Sequence, residues 1–536
     1  MSATLFTGGV IWTGRQETDA LLVVDGVVAS IGEAARGATA ATTVDLQGGF
    51  LMPSFGDGHA HPLYGGLEAV GPAVRQATTV DEIVLAVKRY ADENPEQEWI
   101  VGASYDGSLA EGGLFDARWL DAAVPDRPVV LRAWDYHTVW CNSVALERAG
   151  ITSDTPDPVL GEIPHRADGS VLGTLREWGA VDLVMNVMPP RDEQVRIDAL
   201  GTAADYYLAR GVTWVQDAWV EPADVDTYVE AARRDALRVR FNLALYADPR
   251  HFDRQVTRFA EQRRAVEAAG NPLLTAQTVK FFADGVVENE TGALLQPYCT
   301  GLHAHNRGMQ NWEGDSLAEA ARRVDELGLQ IHIHAIGDAA VRQALDAIEY
   351  VVAQNPPRDR RPVIAHCQLV DQADLARFAA LGAIPNMQPL WAQLDALMTV
   401  LTIPRLGAER ADRQYPINTL DTSGAPLSFG SDWPVSSGAP LDGIAVATSR
   451  RTAAGDPEGG WTPHEVLPVE RALTAYTAGV AKQAFAEQLW GVLAPGASAD
   501  MVWLRSDPRT TAPLELPTVG VRTTYLRGAP MYQARD

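Results

Sequence analysis

The residues best suited to chemistry begin at Gly56-Asp57-Gly58-His59-Ala60-His61-Pro62, after the apolar run Phe50-Leu51-Met52-Pro53. The stretch reads as a strand that opens into a turn. Residues two apart on a strand share a face, so His59 and His61 present both imidazoles to one point. Neutral imidazole is the commonest side-chain metal ligand, and two on one rigid element make half of a zinc-type site. By itself a His-x-His pair is equally compatible with ordinary surface or core histidines. Its meaning depends on what other strand ends bring to it.

Those strands can be picked out in order. After residues 56–61 come β-rich runs at 212–217, 239–245, 278–285, 329–334, 362–366, 383–387 and 426–432. Amphipathic helical patterns lie between them, such as Leu317–Leu327, Ala339–Ala353 and Gln372–Leu381. Eight strands alternating with helices are the tally of a (β/α)8 TIM-like barrel; a doubly wound sheet fits less well, because no GxGxxG follows an early strand. On the fifth strand Leu329, Ile331 and Ile333 share one parity, so His332 and His334 face the barrel axis. On the fourth, Val279 and Phe281 face outward and Lys280 inward, where an unpaired lysine needs a chemical reason. His366 ends the sixth strand and Asp432 the eighth. Active sites of such barrels sit at these strand ends. Each residue alone has an unremarkable reading as a turn, core or ion-pair residue, but together they predict a metal centre.

HxH on the first strand, Lys on the fourth, His on the fifth and sixth and Asp on the eighth resemble the amidohydrolase superfamily. The stretches His137-Thr138-Val139-Trp140-Cys141-Asn142, Lys280-Phe281-Phe282-Ala283-Asp284-Gly285, His334-Ala335-Ile336-Gly337-Asp338, Ala365-His366-Cys367-Gln368 and Gly430-Ser431-Asp432-Trp433-Pro434 are similar to amidohydrolase family 3. These are the YtcJ-like metal-dependent hydrolases, which include N-substituted formamide deformylase. The resemblance implies that His59 and His61 hold one zinc, and His334 and His366 a second. It implies a carboxylated Lys280 bridging both ions, with Asp432 completing the first site and acting as general acid/base. An unmodified Lys280 would leave a one-metal site. The implied reaction is hydrolysis of a non-peptide carbon–nitrogen bond, an amide such as an N-substituted formamide, by water activated on the metal. The alternatives are an ester or lactone hydrolase, a deaminase, or a barrel that binds without catalysis.

Expected substrate contacts are Tyr105, Trp134, His137, Asp284, Trp391 and Trp433. His303-Ala304-His305 repeats the His-x-His spacing in loop-like surroundings and is expected to be no ligand; His332, one pleat below His334, is expected behind the ligands.

The remaining chain frames this centre. Residues 1–55 and 485–536 share a texture of short β runs, with Asp25-Gly26 marking a hairpin. Neither end has the apolar surface to stand alone, so both are expected to build one small β-sandwich. Residues 56–484 are the expected barrel, interrupted by an α+β insertion at about 66–195 that would lie over its mouth. The 536 residues are 46% apolar and 21% charged, ordinary values for a folded protein. With 44 basic and 69 acidic residues the formal charge is −25, which argues against nucleic acid or anionic membrane as partner. Three scattered cysteines, Cys141, Cys299 and Cys367, lack CxxC spacing and fit a reducing compartment. With no signal peptide or membrane-spanning run apparent, the expectation is a cytoplasmic protein acting on a small molecule, with a homodimer as the candidate assembly.

Overall fold

The computed structural model describes residues 3–300 and 305–535. Its largest sheet has eight strands in sequential order, all parallel. These are β1 (Phe55–Ala60), β2 (Val212–Val220), β3 (Arg240–Tyr246), β4 (Leu274–Phe282), β5 (Gln330–Ala335), β6 (Val363–His366), β7 (Ile384–Met387) and β8 (Ser428–Phe429). Helices follow most strands. Those at Ser316–Glu326 and Asp338–Gln354 bury Leu317, Ala320, Ala321 and Val324, and Ala340, Val341, Ala344, Leu345, Ile348 and Val351. That spacing is one stripe of a 3.6-residue helix, and it packs on the outward residues Val279, Phe281, Ile331 and Ile333.

β8 pairs over only two residues, yet the ring closes just beyond it. The Asp432 amide donates to the His59 carbonyl at 2.7 Å, and the His61 amide to the Trp433 carbonyl at 2.7 Å. Gly430 makes this approach possible, since a Cβ there would stand 2.6 Å from the His59 nitrogen. The fold is the (β/α)8 TIM-like barrel that the alternation predicts.

Between β1 and β2 the chain forms a second, four-stranded sheet, ordered Thr174–Arg176, Thr138–Cys141, Val129–Ala133, Ile100–Tyr105. It carries one core on each face: Ile83, Val87, Phe115, Leu131 and Trp140 on one, Val139, Leu146, Leu175 and Val181 on the other. Burying such side chains contributes about 1.5–3 kcal/mol each. The Glu68 carboxylate, on the helix after β1, anchors this segment. It accepts hydrogen bonds from Ser104, from the Tyr136 hydroxyl at 2.7 Å and from two nitrogens of Arg75.

The two chain ends share one six-stranded sheet, in which Met501–Leu504 pairs antiparallel with Phe50–Pro53. Facing it is a four-stranded sheet built from residues 3–45, with the Asp25-Gly26 hairpin at positive φ in both turn residues. Phe6, Leu21, Val23, Leu51, Met501 and Tyr525 fill the space between. The buried ion pair of Arg240 with Asp500, at 3.0 Å, fastens this pair of sheets to β3. The three cysteines are unpaired. No helix among the described residues is long and apolar enough to cross a membrane.

Candidate metal centre

Period-two alternation on each strand and the parallel register between strands assemble the centre. Phe282 lies beside His334, so the inward residues of β4 and β5 reach the same level. His366, beside Ala335 and two residues from the outward-packed Ile364, departs from the alternation where its backbone turns to φ +75°. His59 Nε2 stands 3.2 Å from Lys280 Nζ and 3.3 Å from Asp432 Oδ1; His61 Nε2 is 3.0 Å from that same oxygen. The His366 ring centroid is 4.7 Å from that of His59 and 4.5 Å from that of His334. Ligand atoms of His59, His61 and Asp432 all fall within 4.8 Å of one another. All six strand-end residues are therefore brought together, each of them buried.

Their outer atoms are held from behind. His59 Nδ1 hydrogen-bonds His332 Nε2 at 2.8 Å, and His366 Nδ1 meets Gln388 Oε1 at 2.8 Å. His334 Nε2 is bound to the Gly285 carbonyl at 3.1 Å, which turns Nδ1 to the other side of its ring. Such outer partners fix the tautomer and orientation of metal-ligating histidines. Inside, His366 Nε2 and Asp432 Oδ1 are buried with no hydrogen-bond partner. Burial holds His59 and His334 well below the ordinary imidazole range and His366 down to about 3. Neutral rings with lone pairs facing a carboxylate and no protons to share are the donor set of a divalent cation, so the residues fit one. Burial also pushes the Lys280 amine down to about 7. Burial opposes the charged form of Asp432, but the close contact with His61, together with His366 and Lys280, outweighs it and holds the carboxyl below its usual range.

Two of these side chains stand on strained backbone. His366 (φ +75°) and Asp432 (φ +57°) occupy the left-handed region. Non-glycine residues there cost of order 1–3 kcal/mol, a strain that concentrates at functional sites.

A cavity of about 270 Å³ opens over the centre. Trp134, His137 and Trp391 line it, together with Trp178, Trp219 and Phe282. Trp391 stacks on His366 with ring planes 2° apart. The structure places three other expected contacts outside the lining. Tyr105 is buried against Phe115 and Trp140. Asp284 accepts the backbone N–H groups of Ala293, Ile336 and Gly337, organising the loop after β4, and its Oδ1 stands 3.6 Å from His334 Nε2, behind that ring. Trp433 stacks on Tyr206 at 4.4 Å, outside the barrel mouth. His305 is exposed in its loop, and its partner in that motif, His303, lies outside the described residues.

Sequence reasoning missed Glu177. Its Oε2 meets His137 Nδ1 at 2.9 Å, and its backbone N–H donates to the His137 carbonyl at 2.8 Å, so the Nε2 edge is left for the cavity. Thr291 donates to the other carboxylate oxygen, and Gly285 makes room, since a Cβ there would lie 2.4 Å from that oxygen. No local pattern announces Glu177, which sits deep in the insertion. Gln388 was findable: it shares the inward parity of Asn386 on the seventh strand.

The chain matches the model of the amidohydrolase family over residues 42–532. It is 30% identical over 552 aligned positions to "Protein LONG AFTER FAR-RED 3" of Arabidopsis thaliana, covering 98% of this chain and 91% of that protein. It is 27% identical to "N-substituted formamide deformylase" of Arthrobacter pascens, covering 96% of this chain and 95% of that one. A crystal structure of an uncharacterized metal-dependent hydrolase from Pyrococcus horikoshii OT3 has the same fold, with a TM-score of 0.74 at 23% identity, covering 96% of this chain and 99% of that one. A family match over nearly the whole length, on a barrel whose strand ends fit a cation, establishes that the chain belongs to the amidohydrolase family, metal-dependent hydrolases acting on carbon–nitrogen bonds.

Proposed function

We propose that this protein hydrolyses a linear, non-peptide amide, of which an N-substituted formamide is the leading case. The observation that carries the reading is the convergence of His59, His61, Lys280, His334, His366 and Asp432 under one aromatic-walled cavity. The Arthrobacter relative named for formamide deformylation, similar along nearly the whole chain, supports the choice of bond.

In this reading His59 and His61 with Asp432 would hold one divalent ion and His334 and His366 a second, with Lys280, once carboxylated, as a further oxygen ligand. A zinc ion so held supplies Lewis acidity and lowers the pKa of a water from ~15.7 to ~7. The protein's own groups do the rest. Asp432, ionised and 3.0 Å from His61 Nε2, takes the proton of the attacking water and delivers it to the departing nitrogen, because an unprotonated amine leaves poorly. His137, gripped by Glu177, presents Nε2 to the substrate. Trp134, Trp178, Trp219 and Trp391 exclude water and orient the apolar part of the amide. Residues 1–55 with 485–536 form a composite β-sandwich that supports the barrel without contributing to this cavity.

Metal analysis of the purified protein, joined to turnover of matched formamides, higher amides, esters and aminopurines, tests the proposal. Bound zinc with formamides as the best substrates is the expected result. Metal-free active protein, or esters or aminopurines turned over faster than every amide, would overturn it.

A further inference from the structure

The charged groups around the cavity are lopsided once the metal ligands are set aside. Three carboxylates line it: Asp135, Glu288 and Asp395. Asp135 accepts only neutral donors, from the His137 and Thr138 amides, the Thr138 hydroxyl and Asn289. Glu288 accepts from the Thr402 hydroxyl, and Asp395 from the Met398 amide. None of the three forms an ion pair with an arginine or lysine among the described residues, although burial pushes the Glu288 carboxyl above its usual range and the nearby Arg405 only partly offsets this. The one guanidinium in the lining belongs to Arg75. Its Nε and Nη2 make three hydrogen bonds to Glu68, at 2.8–3.1 Å, and Nη2 donates to the Pro434 carbonyl, so its charge is paired.

The acids also have a place. Trp134, Asp135, Glu288 and Leu397 line both the main cavity and a smaller recess behind it, where Tyr105 and Asn289 complete the wall. The neck between the two spaces thus offers an indole ring and two carboxylates. An aromatic face beside carboxylates favours a cation, whereas an anion placed at this neck meets like charge.

We propose that the cavity selects amides whose distal group is positively charged, seated at the neck formed by Trp134, Asp135 and Glu288, and that it rejects substrates bearing a carboxylate. This inference rests on the amide-hydrolase reading above and names the substrate class of that same site. N-acyl amino acids and peptides with a free carboxyl terminus fall outside that class; amides of diamines and of quaternary ammonium amines fall within it.

The test uses the metal-loaded full chain and three N-phenylethylformamides that differ only at the para position: trimethylammonium, hydrogen or carboxylate. The expected order of kcat/KM is cation, neutral, anion, with about 100-fold between the extremes. Raising the ionic strength narrows the spread only modestly, since the neck is partly shielded from solvent. In Glu288→Gln, and separately in Asp135→Asn, the cation-to-anion ratio shrinks about tenfold. A carboxylate substrate hydrolysed as fast as the cationic one, or a ratio that stays the same in both variants, overturns the inference. Should none of the three be hydrolysed by protein that holds its metal, the amide reading fails instead. Binding of the same compounds, followed by quenching of the cavity tryptophans, then decides the charge preference by the same order.

Discussion

The strand ends of the barrel and the inserted segment between β1 and β2 face each other across one cavity, and they contribute different things. The barrel supplies buried imidazoles, a lysine and a carboxylate on regular strands, each backed by a fixed partner such as His332 or Gln388. The insertion supplies aromatic surface and one oriented polar group, His137 on Glu177. It is fastened through Glu68 to the helix after β1. The lesson is a division of labour: the ring of strands is a rigid mount for reactivity, and the insertion shapes what reaches it.

That division predicts how substitutions sort. On the proposed mechanism Asp432→Asn keeps the shape but removes the proton acceptor, so kcat should fall by about 10²–10⁴ while the metal remains largely bound. Wild-type-like turnover in this variant would end the proton-transfer role. If Lys280 is carboxylated as proposed, Lys280→Ala should lower metal stoichiometry outright, with partial rescue by short carboxylic acids; metal content equal to wild type would count against that role. A pH effect belongs to the same lysine. Its ordinary pKa lies near 10.5 and burial lowers it to about 7, so the uncharged amine needed for carboxylation predominates above that pH. Apo-protein given zinc and bicarbonate should regain activity several-fold faster at pH 8 than at pH 6.

Across the cavity the effects should be smaller and should spare the metal. Glu177→Gln removes the carboxylate that orients His137, and kcat/KM should drop about 10–100-fold with zinc unchanged. Loss of zinc in that variant would blur the separation between the two regions. Glu68→Gln weakens the anchor of the insertion. A loss of about 1–3 kcal/mol of stability and a raised KM are expected, with kcat little altered, measured by denaturant unfolding and steady-state kinetics. A kcat that falls as far as in Asp432→Asn would mean the insertion takes part in the chemistry itself.

The readable half of the site and the unreadable half follow the same line. Lys280 could be placed inward because Val279 and Phe281 flank it, and His334 because Ile331 and Ile333 alternate with it; a period of two is a local property. The eight barrel strands and the shared sheet of the two termini were legible for the same reason. Inside the insertion, Thr138–Cys141 and Thr174–Arg176 carried no readable strand signal, being short and flanked by turns. Tyr105, Asp284 and Trp433 illustrate the limit. Each is a plausible contact by type and position, yet none lines the main cavity: Tyr105 packs on Phe115 and Trp140, Asp284 holds three backbone amides and Trp433 stacks on Tyr206.

By itself, then, the sequence determined which faces of the strands are inward, which residue types stand at their tips, and that the ends of the chain need each other. Only the tertiary structure decided that His59, Lys280 and Asp432 lie within hydrogen-bond distance, that Glu177 holds His137, and that Arg75 is spent on Glu68. The physical reason is range. Alternation and helical stripes arise from neighbours along the chain, whereas a carboxylate's partner is whatever the closed ring and its insertion bring within about 3 Å of it.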